Sequence, residues 1–351
     1  MLMNNPEYFD VLKRVKEQIK AAQYAAVLGA NVEMLTLYWN IGKVIIGNIE
    51  WGNKFVENLS RDIKAEFPKA KGYSIRNLTY MRKFAETYPD VSILQHTVAK
   101  LPWRNNITLM DKIKDKEKRN WYIRKNLENG WNNVVLTHQI ELGLYERQAI
   151  AEKVNNFEKT LPSPQSELAE ETMKDPYIFD FVEANENKIE REIESELVSN
   201  IAHFLLELGS GFAFVGNQYH LEVGGQDFYI DLLFYHLNLR CYIVVELKNT
   251  AFKPEYTGQL NFYLSAVDNT LRKAGDNRTI GLLLCKEKNN IIVEYALQEI
   301  NRPIGVSEYQ LTEYLPKELE NALPSVEDIE KRVRAKYELS DEGENNVNQY
   351  P

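Results

Sequence analysis

Three charged residues stand out in an otherwise apolar stretch of the chain: Asp231, Glu246 and Lys248. Two runs rich in Leu, Phe, Tyr, Ile and Val flank Asn238, which is the pattern of two β-strands joined by a tight turn. A turn centred between Asn238 and Leu239 places Asp231 opposite Glu246 on the neighbouring strand. Two like charges in directly opposed positions repel, and a shared cation would remove that cost.

The spacing of Glu246 and Lys248 brings them to one face of their strand, because side chains alternate along a strand and Leu247 points the other way. Carboxylate oxygens suit the hard cation Mg²⁺, with Mn²⁺ as the alternative ion. Such an ion lowers the pKa of a bound water and stabilises charge on a phosphate undergoing displacement. Lys248 could orient that water, or deprotonate it if burial and the metal depress the lysine pKa.

The alternative interpretation is a surface hairpin whose charges point to solvent. The residues around the three charges are apolar and leave no polar face for a solvated strand. They are Leu232, Leu233, Val244, Val245 and Leu247. A charge placed among such neighbours is expected to lie in a pocket. We therefore favour a functional site.

The overall composition describes an ordinary globular protein: 351 residues, 44% hydrophobic and 26% charged, which is enough for two or three domains. No apolar run approaches the length of a membrane span, and the N-terminal residues are not a secretory signal. We expect a cytoplasmic protein with no membrane partner. Cys241 and Cys285 each lie in a predicted core strand, which suits buried free thiols.

The charge is unevenly distributed along the chain, whose net charge is −9. Residues 1–160 contain 25 Lys and Arg against 18 Asp and Glu, whereas the remainder contains 17 against 33. The N-terminal part could therefore meet a polyanion. The same surplus is also consistent with a solvated helical surface.

The segment Gly72–Tyr88 predicts a glycine turn, an N-cap at Ser74 and a helix with a buried stripe that begins at Ile75 and includes Leu78 and Met81. A helix-turn-helix presents such a helix to a DNA groove. A plain helical hairpin on a bundle surface explains the pattern equally well. The face opposite the stripe offers the candidate DNA-binding residues Arg76, Asn77, Tyr80 and Lys83.

Four regions follow from the composition along the chain. Residues 1–160 are predicted to form a helical domain, which begins with two helices joined near Gly29. Residues 161–187, with Pro162, Pro164 and Pro176, are typical of a linker. Residues 188–323 are predicted to form a second domain, and residues 324–351 a helix followed by a charged, disordered tail.

The second domain has the predicted element order αβββαβ, with additions, and begins with an acidic helix from about Lys188 to Gly209. Glu194 lies one turn before the apolar stripe of that helix, on the side that faces the core. It is therefore the candidate third carboxylate of the site. The alternative is a frayed first-turn glutamate stabilised by the helix dipole. The solvent face of the helix is expected to carry Glu196, Asn200, His203 and Glu207.

The motif Asp231…Glu246-Leu247-Lys248, in a hairpin between an acidic helix and a following helix and strand, resembles the PD-(D/E)XK nuclease superfamily. Longer phrases resemble the YhcG family of bacterial nucleases, among them Phe204–Gln218, Asp231–His236 and Gly258–Leu264. The segment Gly72–Tyr88 is similar to that family's N-terminal helical domain. The resemblance extends over most of residues 7–323.

The resemblance implies a restriction-endonuclease-like α/β domain that cleaves nucleic acid with a metal, preceded by an all-α domain that engages DNA. Carried over, Asp231 and Glu246 would be metal ligands and Lys248 the catalytic lysine. Glu194 matches the superfamily's helix acid, and Gln259 matches a glutamine beside the catalytic site.

Two hypotheses of different kinds remain. The first is a Mg²⁺-dependent endonuclease acting on DNA, with a homodimer as a reasonable arrangement where two strands are cut. The second is a binding protein in which the nuclease fold is only a scaffold, although the complete Asp, Glu and Lys set disfavours it. RNA as the substrate has no feature for or against it.

Overall fold

The computed structural model of the chain describes residues 6–48, 53–90, 98–183 and 188–312. The predicted tail at residues 324–351 lies outside this range, as do residues 313–323. The chain divides into two compact units, Met1–Ile140 and Glu141–Pro351.

The N-terminal unit is helical in all of its described elements. Its helices are α1 Pro6–Gly47, α2 Asn53–Glu66, α3 Ile75–Thr87, α4 Trp103–Lys112, α5 Lys116–Asn129 and α6 Asn133–Glu141, with a 3₁₀ turn at Val98–Lys100. Helix α1 continues through Gly29, so the prediction of two helices joined there was wrong. A helical glycine costs about 1 kcal/mol relative to alanine, and this cost does not end a helix that hydrogen-bonds on both sides of it.

Helix α3 begins as the sequence predicts. Ser74 has extended backbone angles, and its Oγ accepts a hydrogen bond from the Asn77 N–H at 3.3 Å. Leu78 and Met81 are buried, but Ile75 in the first turn is exposed. Gly42 brings α1 against this helix, since a Cβ there would lie 2.1 Å from the Met81 carbonyl oxygen.

The C-terminal unit is built on a mixed sheet. Its described strands are β1 Val154–Asn155, β2 Tyr177–Phe179, β3 Phe212–Val223, β4 Gln226–His236, β5 Cys241–Ala251, β6 Ile280–Glu287 and β7 Ile304–Leu311. They lie in the order β1-β7-β6-β5-β4-β3, and β2 also pairs with β7. Strand β5 is parallel to β6, and β6 is parallel to β7. Strand β3 is antiparallel to β4, and β4 is antiparallel to β5.

Two helical layers cover the sheet. The helices of this unit are α7 Phe157–Thr160, α8 Gln165–Thr172, α9 Glu190–Ser199, α10 Ile201–Leu208, α11 Glu255–Thr270 and α12 Asn290–Leu297, with a π-helical turn at Glu146–Ile150. Helices α8, α9 and α10 share one apolar cluster with Leu232 and Leu247, and α11 and α12 share another with Leu233 and Val244. Gly281 allows the close approach of α11, since a Cβ there would meet the Leu260 side chain at 2.8 Å.

The segment 161–187 is not a linker in its described residues. It contains α8 and β2, and Leu161, Ala169 and Phe179 are buried in the core beside the sheet. Strand β2 of this segment pairs with β7 at Tyr309, beside the pairing of β1 with β7 at Val306, so the segment helps to protect a sheet edge. The prolines of this segment correctly indicated irregular backbone, but a proline does not show whether the residues around it are buried or exposed.

The helix predicted from about Lys188 to Gly209 is interrupted at Asn200, whose φ of −110° and ψ of 39° separate α9 from α10. Beyond this break the faces of the two helices no longer follow one period. Glu207, expected on the solvent face, is instead 4% exposed. It is enclosed by the segment that was predicted to be a linker.

Candidate active site

The β4–β5 hairpin has the predicted register. Leu232 pairs with Val245 and His236 with Cys241, around a turn at residues 237–240. Next to the first of these pairs, the Asp231 N–H donates to Glu246 Oε1 at 3.5 Å, and the Leu247 N–H donates to Asp231 Oδ2 at 3.1 Å. Each carboxylate therefore accepts a hydrogen bond from the opposite strand.

The environment of these carboxylates excludes a solvated hairpin. Leu232, Leu233, Val244, Val245 and Leu247 are at most 1% exposed. Glu246 itself is 1% exposed and shares the sheet face of Val244, under α11. The carboxylates are therefore enclosed at the sheet and do not belong to a solvated strand face.

Lys248 completes the group on this face. Its Nζ lies 3.6 Å from Glu246 Oε2 and 3.5 Å from Glu190 Oε2. The ammonium also stands over the Tyr256 ring, 5.7 Å from its centroid. A half-exposed carboxylate, a buried carboxylate and an aromatic ring thus surround one cation on this face of the sheet.

Glu194 reaches the site through Gln218. Glu194 Oε2 accepts a hydrogen bond from Gln218 Nε2 at 2.7 Å, and the same amide donates to Asp231 Oδ1 at 3.3 Å. Glu194 Oε1 accepts from Asn217 at 3.4 Å. Because Glu194 is only 5% exposed, the alternative of a frayed, solvated glutamate does not hold.

Gln259 lies early in α11, the helix that covers the carboxylate face. Its Nε2 donates to the Tyr263 hydroxyl at 3.2 Å. Burial raises the pKa of Tyr263, and the charges of Glu246 and Asp231 raise it further. Gln259 is thus an exposed residue that is hydrogen-bonded to Tyr263, whose pKa the site charges raise.

The carboxylates bind protons more tightly than free ones. Burial, followed by the charge of Asp231, raises the pKa of Glu246 to about 8. Burial also raises the pKa of Asp231, and burial and the Asp231 charge raise that of Glu194. Crowded, desolvated carboxylates of this kind are relieved by a cation.

The protein groups around Lys248 do not by themselves depress its pKa. Burial acts to lower its pKa, but Glu246, Asp231 and Glu190 outweigh that effect and the pKa is raised. Among the protein groups alone the side chain is therefore an ammonium. Such a group can donate hydrogen bonds and stabilise negative charge.

The donor set fits a hard divalent cation in its chemistry. Glu246 Oε2 is buried and makes no hydrogen bond, although Lys248 Nζ lies 3.6 Å from it, so this oxygen is the one that a cation would take as a ligand. Among the described residues, no three Asp, Glu, His or Cys side chains converge closely enough to form a preformed metal site. In this arrangement the Gln218 amide lies between Glu194 and Asp231.

Sequence reasoning missed several residues of the site, chiefly Glu190, Gln218 and Tyr263. Glu190 lies one helical turn before Glu194, a spacing that could have revealed it. Gln218 lies opposite Asp231 only because β3 shifts register between Phe214 and Gly216. A bulge of this kind has no simple sequence signal.

The four candidate DNA-binding residues lie in the N-terminal unit. Asn77 Oδ1 accepts a hydrogen bond from Trp103 Nε1 at 2.7 Å. The Tyr80 hydroxyl donates to Asp111 Oδ2 at 2.7 Å, and Lys83 Nζ lies 2.5 Å from Asp111 Oδ1. Arg76 is exposed and stands over the Tyr80 ring at 5.8 Å. Three of the four are thus engaged within the unit.

Comparison with known proteins agrees with this geometry. Residues 170–324 match the YhcG PDDEXK nuclease domain, and residues 14–147 match the DUF1016 N-terminal domain. The C-terminal unit is thus of the PD-(D/E)XK nuclease class. Over residues 170–324 the chain is similar to the YhcG family.

One curated relative was found, the Escherichia coli (strain K12) protein named "Putative nuclease YhcG". It is 28% identical to this chain over 330 residues, which are 84% of this chain and 87% of that protein. No solved structure matches. None of the described helices is long and apolar enough to cross a membrane.

Proposed function

We propose that the chain is a Mg²⁺-dependent DNA endonuclease whose reaction centre is the Asp231, Glu246 and Lys248 group. The observation that carries this proposal is the buried, in-register carboxylate pair together with the Lys248 ammonium, whose Nζ lies 3.6 Å from Glu246 Oε2, an oxygen that makes no hydrogen bond. We assign the stretch from α9 to β6 to the αβββαβ core of a restriction-endonuclease-like fold.

The reaction would be hydrolysis of a phosphodiester. The oxygen of a water attacks phosphorus, the bond from phosphorus to one ester oxygen breaks, and that oxygen leaves with a proton as a hydroxyl. Asp231, Glu246 and Glu194 would hold Mg²⁺, or Mn²⁺ in its place. When bound, the ion supplies charge stabilisation at the phosphate and lowers the pKa of water.

The protein's own side chains divide the remaining tasks. The Lys248 ammonium donates hydrogen bonds toward the attacking water and the phosphate oxygens, which orients one and stabilises charge on the other. The Gln259 amide, fixed to Tyr263, lines the approach from α11. Because Glu190 also pairs with Lys248, it keeps the ammonium on the carboxylate face.

The helical N-terminal unit would supply nucleic-acid binding, with α2 and α3 as a helix-turn-helix-like pair. The support is the surplus of Lys and Arg in residues 1–160 and the exposed Arg76 on α3. A homodimer would place two reaction centres on a duplex, and sedimentation velocity of the full chain would test this.

The test is cleavage of supercoiled plasmid, linear duplex, single-stranded DNA and RNA by the full chain, with Mg²⁺, with Mn²⁺ and with EDTA. We expect Mg²⁺-dependent nicking that falls by about 10²–10³-fold in Lys248→Ala. The matched control is Lys273→Ala, which removes an exposed lysine that precedes β6.

Three results would overturn the proposal. Equal activity of wild type and Lys248→Ala would mean that the cleavage comes from elsewhere. Cleavage of RNA alone would reassign the substrate. Binding of DNA without cleavage under any of these metals would favour the scaffold hypothesis instead.

A further inference from the structure

A cavity of about 630 Å³ lies within the N-terminal unit, where the first turns of α3 and α4 and the start of α6 meet. Ligand pockets usually have volumes of roughly 300–1,000 Å³. The cavity is therefore large enough for one nucleotide. It contains three of the four residues singled out on α3: Arg76, Asn77 and Tyr80.

The wall of this cavity is aromatic and firmly held. The Trp103 ring packs edge-to-face on Tyr38, with centroids 5.1 Å apart, and its Nε1 is fixed by Asn77. Tyr80 is half-buried, with its hydroxyl fixed by Asp111. The Arg76 guanidinium stands 5.8 Å from the Tyr80 ring centroid, so a flat group that stacks on this ring would be held together with Arg76.

The rim of the cavity is cationic. Arg76 and Arg104 line it and are exposed, and the carboxylate that lines it is Asp111. Asp111 is already engaged by Lys83 and Tyr80, and these two hydrogen bonds hold its pKa below the ordinary value against the opposing effect of burial. The positive charge on the rim is therefore left available for an anion.

We propose that this cavity binds an unpaired nucleotide of a nucleic-acid strand, a role that rests on the proposed nuclease function and defines its substrate further. Aromatic rings with a cationic rim are the combination that holds single strands, since every base has a face to stack and every nucleotide carries a phosphate. Bases inside a duplex are paired and stacked, so they do not reach the rings at the wall of a cavity. DNA and RNA strands share this chemistry, and the experiment separates them.

The experiment measures fluorescence anisotropy of labelled oligonucleotides with the full chain carrying Lys248→Ala, in EDTA, so that binding is read without cleavage. The probes are a single-stranded DNA, its duplex, and a single-stranded RNA of the same sequence. We expect the single strands to bind at least about tenfold more tightly than the duplex. A preference for DNA over RNA, or the reverse, identifies the source of the nucleotide.

Variants separate stacking from charge. Tyr80→Leu removes the ring and should weaken single-strand binding by about tenfold, whereas Tyr80→Phe keeps the ring and should retain it. Arg76→Ala with Arg104→Ala should weaken binding and reduce its salt dependence. The matched control, Lys64→Ala with Lys116→Ala, removes two exposed lysines outside the cavity and should change binding by less than about twofold.

Circular dichroism and thermal unfolding test whether Tyr80→Leu is folded. If it is not, the binding measurement uses Tyr80→Phe instead. Duplex binding as tight as single-strand binding would overturn the proposal. So would Tyr80→Phe losing as much affinity as Tyr80→Leu, because the hydroxyl and not the ring would then matter. Since cleavage plays no part in these readouts, an inactive wild-type enzyme would not affect them.

Discussion

Each unit of the chain contains an ion pair with a nitrogen–oxygen separation of 2.5 Å, yet the two pairs differ in environment. Lys83 and Asp111 in the N-terminal unit have side chains 34% and 39% exposed, whereas Arg147 and Glu207 in the C-terminal unit are 6% and 4% exposed. An exposed pair gains little from its attraction, while a buried charge without a partner is costly. The same nitrogen–oxygen distance therefore goes with a small stabilisation in the exposed pair and with a large cost of losing one partner in the buried pair.

The difference extends to what each unit can do. In the C-terminal unit the carboxylates of the site are removed from water, so their protonation and contacts are controlled by the fold. In the N-terminal cavity the charges stay in water, where they can attract and release a polyanion. Under the proposed function, chemistry and capture would belong to differently solvated regions.

The largest effect is expected from Arg147→Met. Glu207 accepts hydrogen bonds from Arg147 and from the Ile178 N–H, and Lys174 also pairs with it, all of them in the interior. Removing the guanidinium leaves a buried carboxylate short of one partner, which should cost about 3–5 kcal/mol. Native-state hydrogen exchange of the β2 and α10 amides would measure this loss.

A triple variant tests the reason for that loss. Arg147→Met combined with Glu207→Leu and Lys174→Met should recover part of the stability, because all three charges of the buried group are then removed together. A loss below about 0.5 kcal/mol in Arg147→Met would contradict the contrast between the two pairs.

A second, intermediate effect concerns pH. Burial lowers the pKa of His236 to about 4, while its Nδ1 accepts a hydrogen bond from the Leu239 N–H at 3.1 Å. Between that value and the ordinary pKa of about 6.5 the unfolded chain binds more protons, so stability falls as the pH falls through this window. The slope is at most about 1.4 kcal/mol per pH unit.

His236→Gln should remove this contribution, so the difference in unfolding free energy between wild type and variant should shrink from pH 7 to pH 5. His220→Gln is the control, because His220 is half-exposed and pairs with Asp227. A wild-type minus His236→Gln difference that does not change with pH would mean that His236 is not held neutral by burial.

The smallest effect is expected from Lys83→Met. Its pair with Asp111 is partly exposed, so its loss should cost about 0.2–1 kcal/mol, measured by exchange of the α3 and α4 amides. A loss as large as that in Arg147→Met would show that burial does not distinguish the two pairs.

The sequence predicts the centre of the site well because strand geometry is restrictive. Alternation and one turn position are enough to place Asp231 opposite Glu246 and Lys248 on the same face, and the hairpin has that register. Glu194 on the core side of its helix follows from a similar periodicity. These predictions need no knowledge of distant contacts.

What the sequence does not predict depends on contacts between segments far apart in the chain. Glu207 is buried because residues 147–178 fold over α10, and Gln218 meets Asp231 because of a bulge in β3. The α3 face with Asn77 and Tyr80 forms a cavity wall only because α4 packs beside it. Periodicity shows that a face is polar but does not show what lies against it.

The central claim, that chemistry belongs to the buried site and capture to the exposed cavity, is tested most directly by measuring binding and cleavage on the same variants. Glu246→Gln should lose about 10²–10³-fold in cleavage while it keeps oligonucleotide affinity. Arg76→Ala with Arg104→Ala should lose affinity while it keeps the cleavage rate at saturating DNA. Full cleavage by Glu246→Gln, or parallel loss of both activities in both variants, would contradict the claim.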